Sequence, residues 1–250
     1  MSDLKEETTV DNTQPVEETV AETKKAVDPS LEGIQLFYEK NKTTVNYVGG
    51  GLALIIGVFC FFKFYYLPEK ESEAANEIFW AESFFETDSF NLALKGGKTV
   101  ISADGQKQML GFEQIAEDYS MTKTGNLANY YAGVCYLRTG QYEKAIEFLS
   151  KFNGSDPIIS SIALGAIGDS HMELNRQDEA LKYYLKAADQ ASNNFTSPLY
   201  LKKAGLVYEL KNDFAKALEM YERIKKEYNG STEAKEIDRS IAKVKTIGNL

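Results

Sequence analysis

The hydrophobic and polar positions divide the chain into an apolar segment and a long region of helical periodicity. From Thr43 to Phe62 no residue carries a formal charge, and apolar residues resume after Lys63 as far as Leu67. After Glu69, apolar residues recur at the three- and four-residue spacing of amphipathic helices, and no alternating run is long enough to predict a sheet. The pattern therefore predicts an all-α chain.

The uncharged segment is long enough to cross a membrane. A helix rising 1.5 Å per residue needs about 20 residues to span roughly 30 Å of hydrocarbon. Tyr47 and the aromatic residues 64–66 stand at its two ends, as is typical of membrane interfaces. A signal peptide fits poorly, because the run begins far from the N-terminus and no small-residue cleavage site follows it. We predict one transmembrane helix over residues 44–67, ended by Pro68.

Two segments precede this helix. Leu31, Ile34 and Phe37 recur at helical spacing, so we predict an amphipathic juxtamembrane helix over residues 30–43 that lies on the membrane surface. Residues 1–29 lack aromatic side chains and are rich in Asp and Glu, which predicts a disordered acidic tail. The lysines closest to the span, two on each side, do not decide its orientation.

One pattern occurs three times in residues 125–230. Gly133, Gly168 and Gly205 lie 35 and 37 residues apart, and an alanine follows each of them by twelve residues. The alanines are Ala145, Ala180 and Ala217, and an aromatic or imidazole ring stands three residues after each glycine, at Tyr136, His171 and Tyr208. Such self-similarity is typical of tetratricopeptide repeats, which are helix pairs with a period of roughly 34 residues.

The repeated residues have a physical role in such pairs. Glycine and alanine allow two antiparallel helices to approach closely where they cross. Gly140, Asn175 and Asn212 tolerate the left-handed backbone conformation, so they are predicted to end the first helix of each pair. The chain is thus predicted to be a single transmembrane helix followed by a tetratricopeptide-repeat solenoid.

Helical segments flank the three repeats. Residues 69–124 predict a degenerate repeat region, with helices over 76–86, 90–96 and 106–119 and a loop at 96–97 and 102–105. Residues 231–250 predict a capping helix, because the last repeat of a solenoid would otherwise expose its apolar face.

Composition and candidate chemistry argue against catalysis. A net charge of -9 and a pI near 4.9 exclude nucleic acid as a partner. Cys60 and Cys135 lie in different predicted environments and imply no disulfide. His171 is the only histidine and replaces a packing tyrosine, so the usual metal ligand sets cannot form. We predict no enzyme activity, no cofactor, no metal and no small-molecule substrate.

The remaining candidate site is a groove. In solenoids of helix pairs, the first helix of each pair lines a concave surface. Helical spacing from the crossing glycines predicts the protein-binding residues Tyr130, Val134, Leu137, Ile162, Asp169, Met172, Lys202, Leu206 and Glu209. The alternative is that several of these side chains pack against the next repeat.

A family resemblance narrows the function. Residues 33–42, Gly-Ile-Gln-Leu-Phe-Tyr-Glu-Lys-Asn-Lys, lie between an acidic N-terminus and a Gly-rich span that leads into degenerate repeats. This arrangement resembles the ancillary SecYEG translocon subunit family of Gram-negative bacteria, in a Bacteroidetes-like version. The resemblance implies a single-pass protein of the cell inner membrane, with a cytoplasmic N-terminus and a periplasmic repeat domain. It also implies association with the SecYEG channel and with a membrane-anchored periplasmic chaperone, and it carries over no catalytic residue.

Two alternatives to the translocon function stay open. One is a generic scaffold in envelope assembly. The other is an import receptor with the same anchor but cytosolic repeats. Such receptors often bind acidic C-termini through Lys and Asn on the concave face, whereas Tyr130 and Val134 occupy the corresponding positions here.

Overall fold

The computed structural model describes residues 29–102 and 105–250, which fall into two units divided between Val58 and Phe59. Apart from Pro29, the predicted acidic tail lies outside the described residues, and so do residues 103 and 104 of the predicted loop. Helices make up most of what is described, which confirms the all-α fold class.

The first helix, α1 (Pro29–Phe61), contains the uncharged segment. Asn41 departs from helical geometry, with φ -119° and ψ 21°, and its side-chain amide donates a hydrogen bond to the Phe37 carbonyl oxygen at 3.0 Å. Most of the large apolar side chains from Ile34 to Phe61 are exposed. Within the described residues, this is one helix that is long and apolar enough to cross a membrane.

The prediction that Pro68 ends the helix is wrong. A π-helical turn covers Phe62–Tyr66, in which the Leu67 N–H donates to the Phe62 carbonyl oxygen, and α2 (Leu67–Glu86) follows directly. Proline lacks an N–H, and its ring clashes with the carbonyl four residues earlier in an α-helix. The π turn shifts the hydrogen-bond pairing just before the proline by one residue, and the helical backbone continues past Pro68.

A β-hairpin precedes the repeats. Helix α3 (Phe90–Lys95) leads into β1 (Gly96–Ser102), which pairs antiparallel with β2 (Gly105–Leu110). Helix α4 (Phe112–Asp118) then begins. The predictions of no strand, of a loop at 96–97 and of a helix starting at 106 are therefore wrong.

The hairpin is too short to give a strong alternating pattern. Among its described side chains Val100 and Met109 are buried, and one buried apolar residue per strand gives a weak sequence signal. Glycine is required where the strands meet α3. Gly96 has a φ of 69°, and a Cβ atom on Gly111 would lie 2.3 Å from the Leu94 carbonyl oxygen.

Three helix pairs form the repeats. They are α5 (Lys123–Arg138) with α6 (Tyr142–Lys151), α7 (Pro157–Glu173) with α8 (Gln177–Asp189), and α9 (Thr196–Leu210) with α10 (Phe214–Glu227). A 3-10 turn (Glu233–Lys235) and α11 (Ile237–Gly248) end the chain. Ile237 and Val244 of α11 are buried in the same hydrophobic cluster as the third pair.

The crossing glycines lie against side chains of the second helix. A Cβ atom on Gly168 would lie 2.6 Å from the Tyr184 ring, and one on Gly205 would lie 2.3 Å from the Tyr221 ring. In the first repeat, a Cβ atom on Gly133 would lie 2.5 Å from Leu149. The predicted close approach is thus confirmed, and the filling side chain always stands sixteen residues after the glycine.

The predicted helix ends are also confirmed. Gly140, Asn175 and Asn212 have φ values of 75°, 57° and 58°, in the left-handed region. In each turn the N–H of the next residue donates to a carbonyl five residues earlier, as from Arg176 to His171 at 2.8 Å. These bonds satisfy carbonyl groups that the end of a helix leaves without partners.

Candidate protein-binding groove

The first helices of the three repeats line one groove, with a volume of about 820 Å³. Helices α5, α7 and α9 supply most of the lining, while α6 and α8 contribute one tyrosine each. The lining residues are Tyr130, Val134, Leu137, Arg138, Tyr142, Ile162, Ala166, Asp169, Met172, Glu173, Tyr184, Lys203, Leu206, Val207 and Leu210. Most of them are apolar or aromatic, as is usual for binding clefts.

The structure brings seven of the nine predicted residues together here. They are Tyr130, Val134, Leu137, Ile162, Asp169, Met172 and Leu206. Lys202 and Glu209 are not among the residues that line this groove. Glu209 accepts a hydrogen bond from the Tyr221 hydroxyl at 2.7 Å and pairs with Lys243 of α11. On α9 the lining follows residues 203, 206, 207 and 210, which form one helical face that excludes 202 and 209.

Sequence reasoning missed the polar centre of the groove. Lys203 of α9 donates to both carboxylate oxygens of Asp169 of α7, at 2.6 and 2.8 Å. The Tyr184 hydroxyl donates to the same carboxylate at 2.6 Å. A usable signal existed, because Asp169 and Lys203 are 34 residues apart, close to one repeat period.

Two tyrosine rings stack beside this centre. The rings of Tyr184 and Tyr200 stack with centroids 6.3 Å apart, and the Lys203 ammonium lies 5.6 and 5.8 Å from them. A Cβ atom on Gly165 would lie 2.0 Å from the Tyr200 ring. Burial raises the pKa of both tyrosines, and the bond to Asp169 raises that of Tyr184 further. Both phenols are therefore neutral hydrogen-bond donors at physiological pH.

The remaining polar groups stand at one end of the groove. The Arg138 guanidinium lies over the Phe90 ring, 5.7 Å from its centroid. The Tyr142 hydroxyl donates to the Glu173 carboxylate at 3.3 Å. Arg138 and Glu173 both lie in the last turns of first helices, so one positive and one negative side chain mark this end.

His171 and Cys135 lie apart from the groove lining. His171 is 8% exposed as a residue, and its ring stacks on the Tyr183 ring with centroids 5.4 Å apart. Its buried Nδ1 atom has no hydrogen-bond partner among the described residues. Burial lowers the pKa of His171, so its imidazole is neutral at pH 7. Burial raises the pKa of Cys135 to about 12, which keeps the thiol protonated. In the described part of the chain, no group of three or more His, Cys, Asp or Glu residues is placed to hold a metal ion.

Comparison with known protein families supports the assignment of the helix pairs as repeats. Family models described as tetratricopeptide repeat match residues 127–157 and 166–232. The C-terminal region carries tetratricopeptide repeats. Repeats of this kind are protein-interaction scaffolds, and they agree with the apolar groove described above.

A curated relative has the same repeats. The chain is 27% identical over 175 residues to the "TPR repeat-containing protein MJ1428" of Methanocaldococcus jannaschii. The match covers 69% of this chain and 27% of the relative, so the chain spans about a quarter of the length of that protein.

Proposed function

We propose that this protein is a membrane-anchored protein-binding module of the cell inner membrane that associates with the Sec translocon. Its repeat domain lies in the periplasm and links the SecYEG channel to a membrane-anchored chaperone that receives secreted or envelope proteins. The observation that carries the proposal is that one chain holds both an uncharged, exposed apolar helix and a repeat groove with an apolar lining.

The anchor is supported by the side chains of α1. Leu52, Leu54 and Ile55 are each more than half exposed, and none of the most apolar window of the helix is buried. A helix that exposes so much apolar surface on all sides suits hydrocarbon rather than water. Tyr65 and Lys63 follow the uncharged run and suit the interface, where an aromatic ring and a snorkelling ammonium are favourable.

The protein-binding role is supported by the groove. Partner recognition by repeat scaffolds uses the concave surface that successive helix pairs create. Anchoring in the same membrane as the partner raises the effective concentration of the two sites, so weak individual contacts give stable association. The translocon and the chaperone follow from the resemblance carried by residues 33–42, and so does the cytoplasmic N-terminus.

Two measurements test this function. A reporter that is active only in the cytoplasm, fused after Leu250, should be silent, and an active reporter would favour the receptor with cytosolic repeats. Co-purification of the SecYEG channel with the full-length protein tests the partner. The variant Leu206→Gln/Leu210→Gln should reduce the recovery of the channel or its chaperone, since aromatic and apolar anchors carry most interface energy.

The matched control for co-purification is Ile247→Gln. Ile247 is 53% exposed, similar to Leu206 and Leu210 at 46% and 62%, but it does not line the groove. Full recovery of the partners by the groove variant would contradict the proposal that the groove binds them.

A further inference from the structure

We propose that the groove receives the apolar face of an amphipathic α-helix from its partner, rather than an extended chain or an acidic chain terminus. The inference rests on the proposed function, because it assigns a ligand class to the same groove. It follows from the secondary structure of the lining, from its charge pairing and from the side chains that the groove leaves exposed.

The backbone of the lining offers no hydrogen bonds to a peptide, and most of the lining side chains are apolar or aromatic. All three walls are α-helices, whose interior backbone groups already bond within the helix. Val134, Ile162 and Met172 present only apolar atoms or a thioether. An extended segment pressed onto these side chains would lose water from its N–H and C=O groups and gain no partner, which is unfavourable. A helix satisfies these groups internally, so it enters without that cost.

The charges of the lining are largely satisfied within the groove. The Lys203 ammonium is held by Asp169, which also accepts from Tyr184. A ligand carboxylate would compete with Asp169 for Lys203. Arg138 is then the one lining cation that has no carboxylate partner among the described residues, and it lies at the end of the groove. One terminal cation does not match an acidic chain terminus with several carboxylates, whereas an uncharged apolar face requires none.

The exposed apolar side chains fit a helical ligand. Leu206 and Leu210 stand four residues apart on one face of α9, and they remain 46% and 62% exposed. Two helices pack by inserting rows of side chains with this spacing into each other's grooves. Met172 of α7 also lines the groove, and its unbranched side chain adapts its shape to varied apolar surfaces. An amphipathic helix therefore covers the leucines and fills the groove.

The experiment uses full-length protein in detergent and three fluorescent peptides. The first has about 15 residues, with leucine at i, i+3, i+4 and i+7 and alanine, glutamine and serine elsewhere, so it is an uncharged amphipathic helix. The second has the same composition except for two central prolines in place of alanine, which prevent the helix. The third is an acidic peptide with a free C-terminal carboxylate. Binding is measured by fluorescence anisotropy at low and high salt.

The helical peptide should bind, and high salt should not weaken its binding, because its contacts are apolar. The proline peptide should bind at least about tenfold more weakly. The variant Leu206→Gln/Leu210→Gln should weaken binding of the helical peptide by at least about tenfold, whereas Ile247→Gln should leave it unchanged. The Ile247→Gln variant has the same apolar helix in the same detergent. Comparison with it therefore also accounts for peptide that binds to the detergent-covered helix.

Three outcomes would overturn the inference: no binding of the helical peptide, equal binding of the proline peptide, or tighter and salt-sensitive binding of the acidic peptide. Co-purification separates this failure from failure of the proposed function. If the groove variant loses the translocon partner while the helical peptide does not bind, only the ligand class is wrong. If the variant Leu206→Gln/Leu210→Gln weakens neither co-purification nor peptide binding, the groove is not the binding surface.

Discussion

The carboxylate of Glu71 in α2 caps the start of helix α5 at Thr124. It accepts hydrogen bonds from the Thr124 backbone N–H at 3.1 Å, from the Thr124 hydroxyl at 2.7 Å and from the Lys123 backbone N–H at 2.6 Å. The first N–H groups of a helix have no partner within it, and a negative charge there is favourable. Glu71 therefore joins the helix that follows the π turn to the first repeat.

Replacing Glu71 by alanine should lower the free energy of unfolding by about 1–2 kcal/mol, because it removes a cap and leaves two backbone donors without their partner. Urea unfolding of the full-length protein in detergent, followed by circular dichroism, measures the change. Glu69→Ala is the control, since Glu69 is an exposed carboxylate in the same helix. Equal losses in the two variants would show that the charge matters rather than the cap.

Gly168→Ala should destabilise the second repeat by about 1–3 kcal/mol, because the added methyl group overlaps the Tyr184 ring. The ring cannot swing aside freely, since its hydroxyl is bound to Asp169. The thermal unfolding midpoint is the measurement. Gly230→Ala serves as the control, because a Cβ atom there meets nothing within 4 Å. A midpoint for Gly168→Ala as high as that of the control would contradict the tight crossing.

The stability of the repeats should depend on pH through His171. Burial lowers its pKa in the folded protein, Arg176 and Lys182 lower it further, and Glu179 opposes them. In the unfolded chain the imidazole titrates near its ordinary pKa of about 6.5. As the pH falls through 6.5, the unfolded state takes up a proton that the folded state does not. The free energy of unfolding therefore decreases, by at most about 1.4 kcal/mol per pH unit, until the pH reaches the folded pKa.

The variant His171→Tyr tests this effect, since tyrosine stands at the equivalent positions 136 and 208. Urea unfolding at pH 7.5 and 5.5 should show a larger loss of stability for the wild-type protein than for the variant. The carboxylates titrate in both proteins, so the difference between the two losses isolates the histidine. Identical losses would mean that His171 is protonated equally in the folded and unfolded states.

The Lys203–Asp169 pair should contribute a measurable coupling energy. Its side chains are 32% and 34% exposed, and the Tyr184 hydroxyl also binds the carboxylate. A double-mutant cycle with Lys203→Met and Asp169→Asn should give about 1 kcal/mol. The Lys211–Asp178 pair is the comparison, because its carboxylate is 85% exposed and solvent should reduce its coupling to nearly zero. Equal coupling energies in the two cycles would show that the Lys203–Asp169 pair is no stronger than the exposed Lys211–Asp178 pair.

Local chemistry was sufficient to predict the repeats. Gly133, Gly168 and Gly205 mark places where only a small residue fits, and Asn175 adopts the left-handed turn that its short polar side chain tolerates. Such requirements recur once per repeat, so they are visible in the sequence as a period. The hairpin has no such periodic signal. Each of its strands buries one residue, and that burial depends on packing against helices rather than on a repeated sequence pattern.

The wrong prediction that Pro68 ends the helix has a different cause. The restricted backbone and missing N–H of proline are local properties, and they correctly mark a disturbance of the helix. Whether the chain stops there or continues depends on how the turn before the proline is paired. A π turn in which the Leu67 N–H donates to the Phe62 carbonyl oxygen precedes the proline here, and the local properties of proline do not predict that turn.

The sequence by itself determined the helical periodicity, the three helix pairs, the uncharged segment and seven residues of the groove, since each follows from spacing along one helix. Only the tertiary structure decided that Lys203 faces the groove while Glu209 of the same helix pairs with Lys243 of α11. It also decided that Asp169, Tyr184 and Lys203 meet, since they come from three helices. A contact between helices depends on how each is rotated about its axis, and that rotation is set by all of its neighbours together.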